Sequence, residues 1–293
     1  MKKVLQSYAL RLLRNAIYLA LRLLFSINIH HDRPINTLAP SKKKYFNVLL
    51  ITESPSYAEK LGWFRSDTFA DCEISFRPRS ESNAKHHIQL TTQYSLVRRF
   101  SGLSATNNPA LATRPYKVSL LVSDKKLLPL HLLRHDIYCF LFLTYKNLFY
   151  SNHQQPYLSS TKIYEKSQIS VVVENSDSPY YTSEKIYDAF RAGCYVIYIG
   201  CCDLEQYGFN KFGYNQISPH QPNLLDSIQF SIQNVDISCP KVQYACSLNQ
   251  KITDDLLTFH RDSLLSNLIL FLWLGKQYGL ISSRLWWLTS NEN

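Results

Sequence analysis

Residues 169–200 read ISVVVENSDSPYYTSEKIYDAFRAGCYVIYIG. A short apolar run ends at Glu174-Asn175-Ser176, and a polar loop follows. Glu184-Lys185 then opens a helical pattern, and a second apolar run closes at Gly200. Strand, loop, helix and strand in that order make one βαβ unit. Its polar residues fall at the carboxyl end of a buried parallel strand, where ligands bind in open α/β sheets. An ordinary crossover with a polar loop has the same outline, so individual residues must decide between the two.

Similar units lie upstream. Phe46 to Ile51 is a buried-strand pattern ended by Thr52-Glu53-Ser54-Pro55, and residues 56–81 mix helical and strand signals. Residues 82–114 are polar and contain Asn107-Asn108-Pro109, which marks the end of a first domain. Tyr116 to Val122 is again strand-like, ended by Ser123-Asp124-Lys125-Lys126. A helical run from about Leu128 to Phe142 includes Arg134. Pro222 to Asn234 and Thr253 to Gly275 also read as helices, and Trp286-Trp287 follows in the tail. Strands alternating with helices predict an α/β protein with parallel sheets. Two such units separated by a polar stretch predict two domains facing each other across a cleft, a usual place for small-molecule binding.

The first 30 residues combine Lys2, Lys3, Arg11, Arg14 and Arg22 with many leucines. At about 100° per residue Lys3, Ser7, Arg11, Arg14, Asn15 and Arg22 share one side of a helix. Its uncharged stretches fall far short of the ~20 apolar residues that span a bilayer. The charges are not confined to the start, and no small-residue cleavage site follows, so the pattern differs from a secretory signal. Two readings remain: a helix lying flat on an anionic membrane surface, or one packed on the protein's own core. The polar face has several positive charges and no acidic one, which favours the surface helix. The expected division is therefore residues 1–30 as a basic amphipathic helix, 31–45 as a linker and 46–114 as one α/β domain. Residues 115–260 form a second α/β domain, and 261–293 an apolar helix and tail.

A net charge of +10 over 293 residues implies an anionic partner: nucleic acid, a membrane surface or a phosphate-bearing substrate. The basic residues are scattered, with Lys42-Lys43-Lys44 the one true run. Neither zinc-finger spacing nor a recognition-helix signature is present, so nucleic acid is not expected as a partner. Seven cysteines (Cys72, Cys139, Cys194, Cys201, Cys202, Cys239 and Cys246) include no C-x-x-C pair. That pattern suggests neither a disulfide framework nor a thiolate metal site, and it fits a reducing cytoplasm. His30-His31 and His86-His87 are adjacent pairs whose side chains diverge on either regular backbone, which argues against shared metal binding. The chain has no Walker loop, no nucleophile elbow and no G-x-G-x-x-G.

The chemistry is concentrated in Glu174, Asn175, Tyr181, Glu184 and Lys185. A lysine at a helix start is electrostatically unhelpful to that helix, whose dipole is already positive there. It makes sense if an anion binds there, because helix N-termini and lysines both bind phosphate. Glu184 beside it can accept hydroxyl hydrogen bonds from a ribose or another sugar, and a nucleotide sugar would occupy both groups. The plainer alternative is that Glu184 only favours the helix start and Lys185 points to solvent.

The run E-N-S-x4-Y-x-S-E-K-I-Y-D-A-x3-G, residues 174–193, resembles the donor-binding motif of the α-1,3-fucosyltransferases, glycosyltransferase family 10. That family shows F-E-N-S, then Y-[IV]-T-E-K, then A-L-x-A-G-x-V-P-V, with the same interval from the first glutamate to the E-K pair. Departures are Val173 for the phenylalanine, Ser183 for the threonine, and Tyr195-Val196-Ile197, which lacks the proline. Upstream, Glu53-Ser54-Pro55 resembles the family's E-S-P, and Val122-Ser123-Asp124 resembles its V-S-N. Phe76 to Glu81 resembles Y-R-x-D-S-D, with a charge reversal at Arg79. Arg134 stands where the family has an arginine facing the nucleotide phosphates.

The resemblance implies a GT-B type fold of two Rossmann-like domains and inverting transfer of fucose from GDP-fucose to a glycan hydroxyl, such as a surface polysaccharide or lipid-linked oligosaccharide. It implies no cofactor and no metal, and the chain has no D-x-D motif. Glu53 matches the family's general base, which removes the acceptor hydroxyl's proton as the new bond forms. Arg134 and Lys185 would neutralise the leaving diphosphate. Glu184 would hold a sugar hydroxyl, and Ser123, Glu174, Asn175 and Tyr181 would line the donor pocket. The expected location is the cytoplasm, peripheral at the inner face of the membrane. Two alternatives stay open: an exostosin-like transferase using another nucleotide sugar, and a catalytically silent membrane-associated relative.

Overall fold

The computed structural model describes residues 27–31, 46–65, 70–89, 110–152 and 160–259, with Leu19, Arg33 and Ile35 singly. The body of the expected basic helix, most of the expected linker and the expected C-terminal helix and tail lie outside the described residues. Among the described residues no helix is long and apolar enough to cross a membrane.

The described chain divides into two compact units, one up to residue 89 and the other from residue 110. The first has four parallel strands in sequence order: β1 (Ile27–His31), β2 (Phe46–Leu50), β3 (Cys72–Ser75) and β4 (His86–Gln89). β1 corrects the sequence expectation, which ran the basic helix through residue 30. Its alternation Ile27-Asn28-Ile29-His30 is a strand period hidden at the end of a leucine-rich pattern, and parallel pairing with β2 selects it. Pro55 opens the short helix α1 (Pro55–Lys60), its ring pre-set for a first helical position. Leu49 and Ile51 pack with Ala58, Ala70 and Ala84 on one side of this sheet.

The first unit contains a buried polar network. Glu73 on β3 is wholly buried and accepts from both sides of the Arg77 fork, at 2.7 Å each, and from Ser75 and Ser82 at 2.6 Å. The Arg77 guanidinium also lies 3.9 Å from the centroid of the Phe64 ring. The run Phe76 to Glu81 is thus largely structural: Arg77 neutralises a buried acid, and Arg79 donates to the Ala84 carbonyl at 2.6 Å. His86 and His87 point apart, one stacked on Phe46 and the other 3.9 Å from Glu73.

The second unit begins earlier than residue 115, another correction to the expected boundary. Arg114 is buried, and its guanidinium donates to the carbonyls of Tyr164, Ser167 and Ala192. A polar residue in a polar stretch gives no sign of this, because all its acceptors are 50 or more positions away. Five parallel strands follow: β5 (Tyr116–Leu120), β6 (Phe149–Ser151), β7 (Ser167–Val173), β8 (Tyr195–Ile199) and β9 (Tyr214–Ile217). Their order is β6-β5-β7-β8-β9. The helices are α2 (Pro129–Tyr145), α3 (Ser160–Glu165), α4 (Glu184–Arg191), α5 (Leu224–Asn234) and α6 (Pro240–Phe259).

Strand periodicity sorts the core into two faces. Ile169, Val171 and Val173 of β7 and Ile197 and Ile199 of β8 pack with Ile137 and Leu141 of α2 and Ile228 and Ile232 of α5. Val172, Val196 and Tyr198 face the other way, onto Tyr164 of α3 and Ile186, Tyr187 and Phe190 of α4. Helices therefore cover both faces, which is why β7 and β8 read as continuous apolar runs rather than alternating ones. The strand order reverses between β5 and β7, and that reversal places the candidate site.

Candidate functional site

Six of the seven donor-side residues expected from sequence come from loops and helices at the carboxyl edge of β5 and β7, and the seventh, Glu174, directly follows β7. Ser123 is half-buried just beyond β5. The turn there is pinned by Asn152: Val122 N–H donates to its Oδ1 at 2.8 Å, and its Nδ2 donates to the Val122 carbonyl at 2.5 Å.

Arg134 lies on α2 and is 2% exposed, so it is not on a solvated helix face. Its Nη2 donates to the carbonyls of Val173 (2.7 Å) and Glu174 (3.2 Å) and to Asn175 Oδ1 (2.8 Å). Arg134 thus holds the end of β7 while placing a positive charge beside it. Burial works against that charge, and Glu174 and Glu184 support it.

Glu174 is fully buried, and its Oε1 accepts the Ser183 N–H at 3.0 Å. Burial raises its pKa, partly countered by Lys185 and Ser183. Tyr181 is also fully buried. Glu184 is the exposed member, its side chain 48% exposed, and Lys185 beside it is half-buried at 15%. Lys185 Nζ donates to Glu184 Oε1 at 3.3 Å and to Ser183 Oγ at 3.4 Å. Desolvation pushes the Glu184 carboxyl upward, but Lys185, Glu184's own backbone N–H and Arg134 bring it below its ordinary value.

One residue of this edge was not singled out in the sequence. His131, 1% exposed, is the third residue of α2, and its Nδ1 accepts the Leu128 N–H at 3.3 Å. That bond places the proton of the neutral ring on Nε2. Burial lowers its pKa to about 4, helped by Arg134, Lys125, Lys185 and His135. Arg134 and Lys185 meet the same short segment, the first at the Glu174 carbonyl and the second at Ser183 Oγ. The available signal was the i, i+3 spacing of His131 and Arg134, which puts both on one face of a helix.

Glu53 belongs to the first unit. It is half-buried at the bend after β2, between the buried Thr52 and Ser54. β2 is an inner strand of its sheet, so Glu53 too sits at the carboxyl end of a parallel strand. Chemically, the second unit presents clustered cations suited to a phosphate and an exposed carboxylate suited to hydroxyls. Among the described residues no three His, Cys, Asp or Glu side chains are grouped to hold a metal ion. The seven cysteines are free thiols. An open groove of about 600 Å³, lined by Tyr116, Phe142, Phe149 and Tyr150 among others, lies at the amino ends of β5 and β6, away from this cluster.

No protein-family profile matches the chain, and no curated protein sequence matches it. Among solved structures it is similar to an α1,3-fucosyltransferase determined with GDP, at 16% identity and a TM-score of 0.42. That match covers 66% of this chain and 62% of the other, so this chain spans less than two thirds of that protein's length. A sucrose-phosphate synthase from Thermosynechococcus elongatus is similar at 12% identity and a TM-score of 0.44, over 80% of this chain and 69% of that one. The glycotransferase of kitacinnamycin is similar at 10% identity and a TM-score of 0.36, over 75% and 68%.

Proposed function

We propose that the protein is an inverting glycosyltransferase that moves fucose from GDP-fucose to a glycan hydroxyl. The observation that carries this reading is the placing of Arg134 on the Glu174 carbonyl and Lys185 on Ser183 Oγ, two residues joined by one hydrogen bond, with Glu184 beside Lys185 at the carboxyl edge of β7. A nucleotide sugar needs this pairing of groups: cations for the diphosphate and a carboxylate for hydroxyls. The E-N-S to E-K interval supports the same donor.

In this mechanism the diphosphate leaves as the acceptor oxygen bonds to the anomeric carbon, and Glu53 takes the acceptor's proton. Lys185 contacts the leaving group. Arg134, whose Nη2 is committed to β7, stabilises it through its field. Glu184 is held ionised by Lys185 and serves as hydroxyl acceptor. The basic face expected from Lys3, Arg11, Arg14 and Arg22 would bring the enzyme to the anionic inner surface of a membrane, where lipid-linked acceptors are found.

Thermal-shift measurements with GDP- and UDP-sugars test the donor. GDP-fucose should stabilise the wild type, and Lys185→Ala should abolish that shift. Glu53→Gln should keep the shift and stop transfer. Stabilisation by UDP-sugars alone would favour the exostosin-like reading, to which Glu184, Ile186, Ala189, Gly193 and Cys194 also conform. GDP-fucose binding without transfer to any acceptor would favour the silent relative.

A further inference from the structure

The loop between β7 and α4 is closed by one carboxyl group. Glu174 directly follows β7, and its Oε1 accepts the N–H of Ser183, the N-cap of α4. In a capping box, the third helical residue is a Glu or Gln that reaches back to the N-cap N–H. α2 uses this arrangement with a different side chain, since His131 is its third residue and accepts the Leu128 N–H. α4 has no such option. Its third residue is Ile186, which is apolar and packed into the core. The acceptor must come from elsewhere in the fold, and Glu174 supplies it from nine positions upstream.

Glu174 is well anchored for this. Its N–H donates to the Ile199 carbonyl at 3.0 Å, and its own carbonyl accepts from Arg134. The side chain is 0% exposed, and a Cβ added at Gly200 would come within 3.0 Å of its Cγ. Glu174 Oε2 makes no hydrogen bond among the described residues, so one oxygen performs the task. The exposed Glu184 and the half-buried Lys185 are the first two residues of the helix that this bond starts.

We propose that Glu174 is a positioning residue: through Ser183 it sets the first turn of α4, and with it Glu184 and Lys185, without touching the ligand. This rests on the donor-site reading given above. What the position requires is a hydrogen-bond acceptor at the reach of a glutamate, and the charge is incidental. Glutamine should therefore replace Glu174, whereas aspartate should not.

The test compares Glu174→Gln, Glu174→Asp and Glu174→Ala in the full chain by amide hydrogen exchange over residues 181–187 and by GDP binding. Glu174→Gln should keep wild-type protection and bind GDP within about threefold of wild type. Glu174→Asp keeps the charge but is one methylene too short. It should lose about tenfold or more in protection at Ser183 to Lys185 and in GDP affinity, as should Glu174→Ala. Wild-type behaviour of the aspartate variant with a defective glutamine variant would overturn the proposal, because charge would then be the requirement. Lost GDP affinity in Glu174→Gln with protection unchanged would also overturn it, since Glu174 would then touch the ligand. If the aspartate and alanine variants do not fold, protection in the glutamine variant decides. If the wild type binds no GDP, the donor reading fails, and the exchange comparison alone still decides whether Glu174 sets the turn.

Discussion

Arg134 donates from Nη2 to the Oδ1 of Asn175 at 2.8 Å, and the same nitrogen serves the Val173 carbonyl at 2.7 Å. A helix that leaves β5 in one direction is thereby fastened to the end of β7, on the other side of the strand-order reversal. The contact joins the two halves of the second sheet where the candidate site opens.

Replacing Arg134 by alanine strips three acceptors of their donor, and two of these are buried backbone carbonyls. Unfolding by urea should show a loss of about 3 kcal/mol, the scale for leaving buried acceptors unmet. Lysine keeps the charge but lacks the planar fork, so Arg134→Lys should recover less than half of that loss. An alanine variant as stable as wild type would show that the guanidinium does not hold the strand end.

In the first unit, Glu73 should govern the acid limb of stability. Burial opposes its ionisation, but bonds from Arg77, Ser75 and Ser82 outweigh burial and put its pKa below the ordinary value of 4.5. As the pH falls, the unfolded chain takes up this proton first. The stability due to Glu73 is therefore complete above about pH 4.5 and is lost as pH drops through the lower folded-state value. Urea midpoints measured against pH should show this limb in the wild type and a flatter one in Glu73→Gln. At neutral pH that variant should lose about 3 kcal/mol, because the Arg77 charge is left uncompensated.

His131 has a window of its own. Its folded-state pKa of about 4 lies below the ordinary 6.5, so between these values the unfolded chain is protonated and the folded chain is not. Stability should fall as pH drops from 6.5 toward 4, with a slope approaching about 1.4 kcal/mol per pH unit for one proton. His131→Gln, which does not titrate, should flatten the curve there. An unchanged slope would mean that the imidazole is not held neutral.

Gly213 tests the packing of α6. A Cβ there would lie 2.6 Å from Asn249 Nδ2 and 3.1 Å from the Ala245 backbone. Asn249 cannot easily retreat, because its amide both accepts from Asn210 N–H at 2.6 Å and donates to the Asn210 carbonyl at 3.0 Å. Gly213→Ala should cost about 1–3 kcal/mol in thermal or urea unfolding, the usual penalty for overpacking. A Gly213→Ala protein with wild-type stability would show that the helix shifts freely.

The elements around the candidate site were legible in the sequence because their signals are local. β7, α4 and β8 follow from two apolar runs and a helical stretch between them, and strands alternating with helices dictated parallel sheets. The grouping of Ser123, Arg134, Glu184 and Lys185 at one edge follows from that topology, since loops after parallel strands all emerge at their carboxyl ends. β1 was missed because its short alternation, Ile27-Asn28-Ile29-His30, continues a leucine-rich helical pattern, and only pairing with β2 selects the strand. Arg114 was missed because nothing local distinguishes a buried arginine from a solvated one.

The stretch from Ile169 to Gly200 therefore determined, by itself, a strand, a helix and a strand with polar residues at the first strand's end. Periodicity and composition act over a few residues, and chain order does the rest. Tertiary structure decided what each polar residue does there. Glu174 turned inward to start a helix and Arg134 was drawn down to fasten a strand, leaving Glu184 exposed with Lys185 half-buried beside it. Those roles depend on burial and on partners nine to 41 positions away, which no local pattern encodes.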